Sequence, residues 1–278
     1  MTMTFSLHDS IAPNGALGHT DPHVNYSEER DEKLVVEEFH ILRDKLQIPT
    51  LKGLLERPRI DALLVKSLDQ FPATLISGRS GTGKTVVAAT FAAGRQNVSW
   101  YSVESTDVDW PVFSRYFSAS LSETFFGSAN GSASKSDLSN KEISQTEIAR
   151  FLIDRFSRAY IGPSPSGSLI VLDDIHNIFD APWFEDFFNL LLYSLPPETH
   201  LLLLCRSKPP GPLWRLRSKQ MLNVLDEKVI AFNGAETEEL FQGLGLPGST
   251  AQMAQQECFG RVSKLLQFAG HPAVLRTK

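Results

Sequence analysis

The chain is poor in cysteine, has no long apolar run and carries no excess of positive charge. Its two cysteines, Cys205 and Cys258, lie far apart and match no metal or redox spacing. They suit a reducing compartment and read as small buried apolar residues. No apolar run approaches the roughly 18 residues of a membrane-spanning helix. The first ten residues, MTMTFSLHDS, lack a basic stretch followed by an apolar core, so they are no secretory signal. A cytoplasmic protein with no membrane contact is expected. No repeat of about 34 residues is detectable, which excludes a helical-repeat array of that type. The formal net charge is -5, and residues 1–50, with 9 acidic and 4 basic side chains, account for it alone. The rest is balanced, so no basic footprint for nucleic acid is present and direct nucleic-acid binding is not expected.

What is present is a phosphate-binding loop. The apolar run Ala73 to Ile76 reads as a buried strand. Gly78-Arg79-Ser80-Gly81-Thr82-Gly83-Lys84-Thr85 then fits G-x-x-x-x-G-K-[ST], the Walker A pattern, at every fixed position. A helix-forming run, Val86 to Ala93, follows. Gly78, Gly81 and Gly83 are expected to supply φ > 0 and close backbone approach to a phosphate. Amides of the loop and first helical turn would point at the anion, aided by the helix dipole. Lys84 is expected to reach the β- and γ-phosphates, and the Thr85 hydroxyl to ligate Mg²⁺.

A second landmark lies about 85 residues later. Ser168 to Asp174, SLIVLDD, is an apolar run ending in acid, as a buried parallel strand does when it brings a carboxylate to its C-terminal edge. Ligands of open α/β sheets bind at that edge. Asp173 is the candidate Mg²⁺ ligand of a Walker B strand, and Asp174 the candidate for orienting or activating the attacking water. His176 either senses the terminal phosphate or caps the next helix. His200-Leu201-Leu202-Leu203-Leu204-Cys205-Arg206 reads as a further buried strand, expected beside the one ending in Asp173. Arg206 either reads a terminal phosphate with bidentate geometry or closes a strand-end salt bridge.

The remaining pattern orders the chain. Residues 1–47 read as a mobile acidic tail followed by a helix from Leu34 to Leu46. Residues 48–232 form the nucleotide domain, with a Ser/Gly/Asn-rich flexible insertion at 127–140. Within it, Val98 to Val103 reads as a strand, Trp110 to Leu121 and Ile143 to Tyr160 as helices, and Val224 to Phe232 as a last strand. Residues 233–278 read as a small helical arm, expected to be incomplete. Alternating strands and helices around a phosphate loop argue for an α/β three-layer αβα sandwich on a parallel sheet.

Taken together, these motifs resemble the STAND class (signal-transduction ATPases with numerous domains), specifically its MalT-like, LuxR-family regulators. Ile48-Pro49 with Leu55-Glu56-Arg57 is similar to the family's leading segment, in which a "GRE" element contacts adenine; Glu56 stands where the family has glycine. TLISGRSGTGKT resembles its "TLISAPAGYGKTT". VSWYSVESTDVDWPVFSRYF, LIVLDDIHNI and LLLLCRSKPPGPLWRLRSKQML resemble three further segments in the same order. Gly260 to Leu266 resembles its arm element, with Arg261 in place of an aromatic residue. The resemblance covers roughly residues 48–270.

The resemblance implies a switch in which ATP is sandwiched between the α/β domain and the arm, with Arg206 reporting the γ-phosphate. Candidate nucleotide contacts are then Arg57, Gly78, Ser80, Gly81, Thr82, Gly83, Lys84, Thr85 and Val86. Candidate catalytic groups are Lys84, Asp173, Asp174 and Arg206, and candidate metal ligands Thr85 and Asp173. The expected ligands are ATP or ADP with Mg²⁺, and the expected partners a second copy in a nucleotide-dependent association or another protein. A slow ATPase is the leading reading. A nucleotide-binding module without turnover is the alternative. A small-molecule kinase ranks last, because its basic lid would have to come from Arg215, Arg217 and Lys219, after the proline break at 209–212.

Overall fold

Five strands build the core: β1 Ala73–Ser77, β2 Val98–Ser102, β3 Ser168–Asp173, β4 Thr199–Cys205 and β5 Leu222–Leu225. They form one sheet in the order β2-β3-β4-β1-β5, and every neighbouring pair is parallel. This computed structural model describes residues 41–51, 55–125, 143–159 and 167–270. All of them lie in one compact unit, His40–Lys278. The tail, most of the 34–46 segment, the 127–140 insertion and residues 271–278 fall outside the described residues.

Strand alternation assigns each side chain to a layer. One face carries Leu75, Tyr101, Ile170, Leu172, Leu201 and Leu203. It packs on helices α3 (Trp110–Phe125), α4 (Gln145–Ala159), α5 (Phe184–Ser194) and α6 (Gly211–Ser218). The other face carries Ile76, Trp100, Leu169, Val171, Leu202 and Leu204 and packs on α1 (Pro58–Gln70) and α2 (Lys84–Ala93). The expected three-layer α/β sandwich is therefore what forms. Asp173 shares the parity of Leu169 and Val171, and Arg206 that of Leu202 and Leu204. Both are thus directed to the layer of α2.

The chain leaves β5 through α7 (Glu227–Ile230) and continues into α8 (Gly234–Gly243), α9 (Gly248–Cys258) and α10 (Val262–Phe268). These last helices have their own small core of Phe232, Phe241, Ala251, Ala254, Cys258 and Leu265, joined by Leu55. The arm is capped at its start: Asn233 and Glu236 exchange side-chain and backbone hydrogen bonds in a capping box.

One expectation fails here, and another lies mostly outside the described residues. The last strand is not Val224 to Phe232 but the four residues of β5. The Asp226 side chain accepts from the amides of Lys228 and Val229 at 2.9 and 3.1 Å and starts α7, so capping ends the strand. The only described helical part of 34–46 is a one-turn 3-10 helix, Arg43–Leu46, packed against β2. Its buried Lys45 bonds Asp107 at 2.8 Å and Glu104 at 3.1 Å.

Candidate nucleotide site

The loop between β1 and α2 lies at the C-terminal edge of the sheet. Gly81 and Gly83 have φ of 77° and 88°, a conformation that side chains other than glycine rarely tolerate. Gly78 does not: its φ is outside the left-handed region, which corrects the expectation for that residue. Its lack of a side chain serves close approach instead, since a Cβ there would lie 2.7 Å from the Glu227 Cβ. The Thr82 hydroxyl donates to the Arg79 carbonyl at 2.9 Å and pins the turn.

Lys84 is buried, and its Nζ donates to the carbonyls of Gly78 and Arg79 at 2.6 and 3.0 Å. Burial pulls its pKa down, against the opposing pull of Asp174 and Asp173. The Thr85 hydroxyl donates to Asp173 Oδ2 at 3.0 Å, and Asp173 is fully buried. Hydroxyl and carboxylate thus meet where a cation next to a triphosphate would be held. Among the described residues no three His, Cys, Asp or Glu side chains converge on a metal position. Mg²⁺ takes one or two protein oxygens and fills its shell with water and phosphate, and the Thr85 hydroxyl and Asp173 carboxylate offer such oxygens. The loop, Lys84 and the Thr85–Asp173 pair therefore suit a Mg²⁺–nucleotide.

Asp174 turns off the end of β3 in the left-handed conformation, φ 58°. Its carboxylate receives a bidentate pair from Arg206, Nη2–Oδ2 at 2.7 Å and Nε–Oδ1 at 3.0 Å. β3 and β4 are adjacent, which brings the two together. The salt-bridge reading of Arg206 thus describes this structure. His176 caps no helix; it lies inside the 3-10 turn Ile175–Ile178.

Arg57 is tied to the arm. Its guanidinium bonds Glu236 at 2.9 and 3.2 Å and the Ala231 carbonyl at 3.1 Å, and it stacks over the Phe232 ring. Buried and charged, it needs a carboxylate partner, and the arm supplies one in Glu236. Burial would raise the Glu236 pKa, but Arg57 and Arg59 outweigh it and hold the carboxyl at about 2. Ser80 and Gly81 are exposed at the loop's crest, whereas Val86 is half-buried in the first turn of α2.

Sequence reading missed the arm's grip on the loop. Ser263 N–H donates to the Gly81 carbonyl at 3.1 Å, and Arg261 Nη2 donates to the Ser80 carbonyl. Glu227 accepts from the Arg79 amide at 3.0 Å and from its guanidinium at 2.6 Å. Its carboxyl is held below the usual range by those hydrogen bonds. Arg261 was visible as a departure from the family pattern, but its target was not. Glu227 gave no signal.

Residues 46–204 match the family model of the AAA ATPase domain. The chain belongs to that family. This AAA ATPase domain is similar to the HTH-type transcriptional regulator MalT of Vibrio parahaemolyticus, 26% identical over 207 residues, covering 73% of the chain and 22% of that protein. It is likewise similar to the MalT regulator of Yersinia enterocolitica, 31% identical over 185 residues, covering 65% of the chain and 20% of that protein. The domain thus spans about a fifth of the length of these curated relatives. The chain is also similar to a Walker-type ATPase of Pyrococcus abyssi, with 13% identity, coverage of 78% of this chain and 67% of that one, and a TM-score of 0.49. Among the domain's described residues no helix is long and apolar enough to cross a membrane. The family match stops before Arg206 and the arm, so the reading of both rests on the geometry above.

Proposed function

We propose that this AAA ATPase domain is a nucleotide-controlled switch of the signal-transduction (STAND) type, with slow Mg²⁺-dependent hydrolysis of ATP to ADP and phosphate. One observation carries the switch reading: the crest of the phosphate loop, Arg79 to Gly81, is bonded directly to the C-terminal arm through Arg261 and Ser263, and to α7 before it through Glu227. Arg261 and Ser263 engage the loop carbonyls of Ser80 and Gly81, while Glu227 takes the Arg79 amide and guanidinium. Whatever shifts the loop on phosphate binding must shift or strain the arm. Lys84 would exchange its two carbonyl partners for the terminal phosphates, and Arg206 would leave Asp174 for the γ-phosphate.

Thr85 and Asp173 would hold Mg²⁺, which supplies charge neutralisation along the phosphate chain. Asp174, released from Arg206, would orient the water for in-line attack on the γ-phosphorus. The regulator named among the relatives supports a signalling role for the arm, passed to a second copy or another protein. The deciding experiment measures turnover and arm protection by hydrogen exchange with ADP and with ATP. Lys84→Ala is expected to abolish turnover and weaken ATP binding by roughly a hundredfold, the scale of a lost charge-assisted contact. Parental turnover in that variant would remove the assignment.

The Arg206–Asp174 pair also favours a second reading, a module that binds nucleotide without hydrolysis, because the water-orienting carboxylate is engaged. ATP still intact after hours in a single-turnover assay would select it.

A further inference from the structure

Asp174 is a buried carboxylate, 11% exposed, whose partner Arg206 is 48% exposed. Both hydrogen bonds on the carboxylate among the described residues come from that guanidinium. A buried carboxylate left without a partner is costly. Arg206 therefore cannot leave for a phosphate cheaply unless another donor stands ready.

One does. His176 Nδ1 is buried, has no hydrogen-bond partner and lies 4.0 Å from Asp174 Oδ1, the oxygen to which Arg206 Nε donates. The backbone that carries it is fixed, because the Asn177 side chain donates to the Val103 carbonyl at 2.8 Å. Burial depresses the imidazole pKa, and nearby Arg206 and Lys84 oppose its protonation against the pull of Asp174. Donating Nδ1–H to Asp174 then requires the 4.0 Å separation to close.

We propose that His176 is a positioning residue for Asp174, taking over its Oδ1 hydrogen bond when Arg206 turns to the terminal phosphate. The inference rests on the reading of Arg206 as the phosphate-sensing residue. It adds what that reading lacks, a means of keeping Asp174 oriented toward water once its salt bridge opens. His176 would make the release of Arg206 inexpensive and hold the carboxylate ready in the same movement.

Histidine ring NMR on the nitrogen-labelled full chain tests it. Arg206→Met opens the salt bridge without nucleotide, so this arm does not depend on hydrolysis or on phosphate sensing. A slowly exchanging, downfield Nδ1–H signal, assigned to His176 by its loss in His176→Asn, is expected in Arg206→Met and not in the parent. The parent should gain the same signal with Mg²⁺ and a non-hydrolysable ATP analogue. An unchanged His176 ring in Arg206→Met overturns the proposal. If that variant shows the signal but the analogue does not induce it in the parent, the sensing role of Arg206 fails while the partner exchange stands.

Single-turnover hydrolysis is the second arm. His176→Leu should lose about tenfold in rate, the worth of one hydrogen bond to a charged group, with ATP affinity unchanged. His176→Asn, whose amide sits near the Nδ1 position, should recover most of it. Equal losses in both variants, or parental rates in His176→Leu, overturn the positioning role.

Discussion

The two faces of the sheet are built from different materials. Against one lie aromatic rings: Trp110, Phe113, Phe117, Trp183 and Phe187 pack with centroids 4.6 to 6.2 Å apart. Against the other, α2 presents Ala88, Ala89 and Ala92, all buried. Small residues let a helix lie close on a sheet. That closeness sets Thr85 within 3.0 Å of Asp173 and fixes the loop at the strand ends. The thick aromatic layer carries none of the candidate chemistry. One face stabilises and the other positions, so damage to the two faces should be separable.

Phe187→Ala should show the largest effect. The ring is fully buried among other rings, and such truncations cost about 3–5 kcal/mol. Thermal melting should fall by roughly 10 °C for a domain of this size, while nucleotide affinity at low temperature stays at the parental value. A matching loss of affinity would break the division between the faces.

Acid tests a third region, the arm junction, which belongs to neither face. The Glu236 carboxyl lies at about 2 in the folded chain against an ordinary 4.5. The folded state therefore binds fewer protons. Its contribution, up to about 3 kcal/mol, is fully present above pH 4.5 and disappears as pH falls toward 2. Glu236→Gln should weaken the parent near neutrality and flatten the pH dependence of melting in that window. Parallel curves for the two proteins would show that the Arg57–Glu236–Arg59 cluster contributes nothing.

Arg206→Ala probes the positioning face at its edge. One charge-assisted contact of about 1.5–3 kcal/mol predicts a ten- to hundred-fold loss of ATP affinity with ADP affinity unchanged. Paired titrations read it, and equal losses would make Arg206 a support of Asp174 alone. Ala88→Leu should be the mildest in stability, about 1–3 kcal/mol from overpacking, yet it should lower nucleotide affinity by lifting α2. Stability lost with affinity intact would count against the close-packed helix as the positioning device.

Much of this arrangement was legible in the sequence. Eight loop positions in register fixed the end of β1 and the start of α2, and an apolar run ending in Asp173 fixed β3. The adjacency of β3 and β4, expected together with the role given to Arg206, is what forms. Long-range polar pairings were not legible. Glu236 meets Arg57 across 179 residues, and Arg261 meets Ser80 across 181, and no local periodicity encodes either pair. Hydrophobic pattern also ran past Asp226, where a side-chain cap rather than a change in polarity ends β5.

The one-turn helix at residues 43–46 has a use apart from nucleotides. β2 is an edge strand, and an exposed edge is a template for pairing with other chains. The short turn lies against that strand, tied to Asp107 by the buried ammonium of Lys45. A recombinant domain trimmed to begin at the matched leading segment near Ile48 would keep the loop, the sheet and the arm, yet uncover this edge. Its failure would show as poor recovery and aggregation during expression. The practical boundary for a well-behaved domain therefore lies before Arg43.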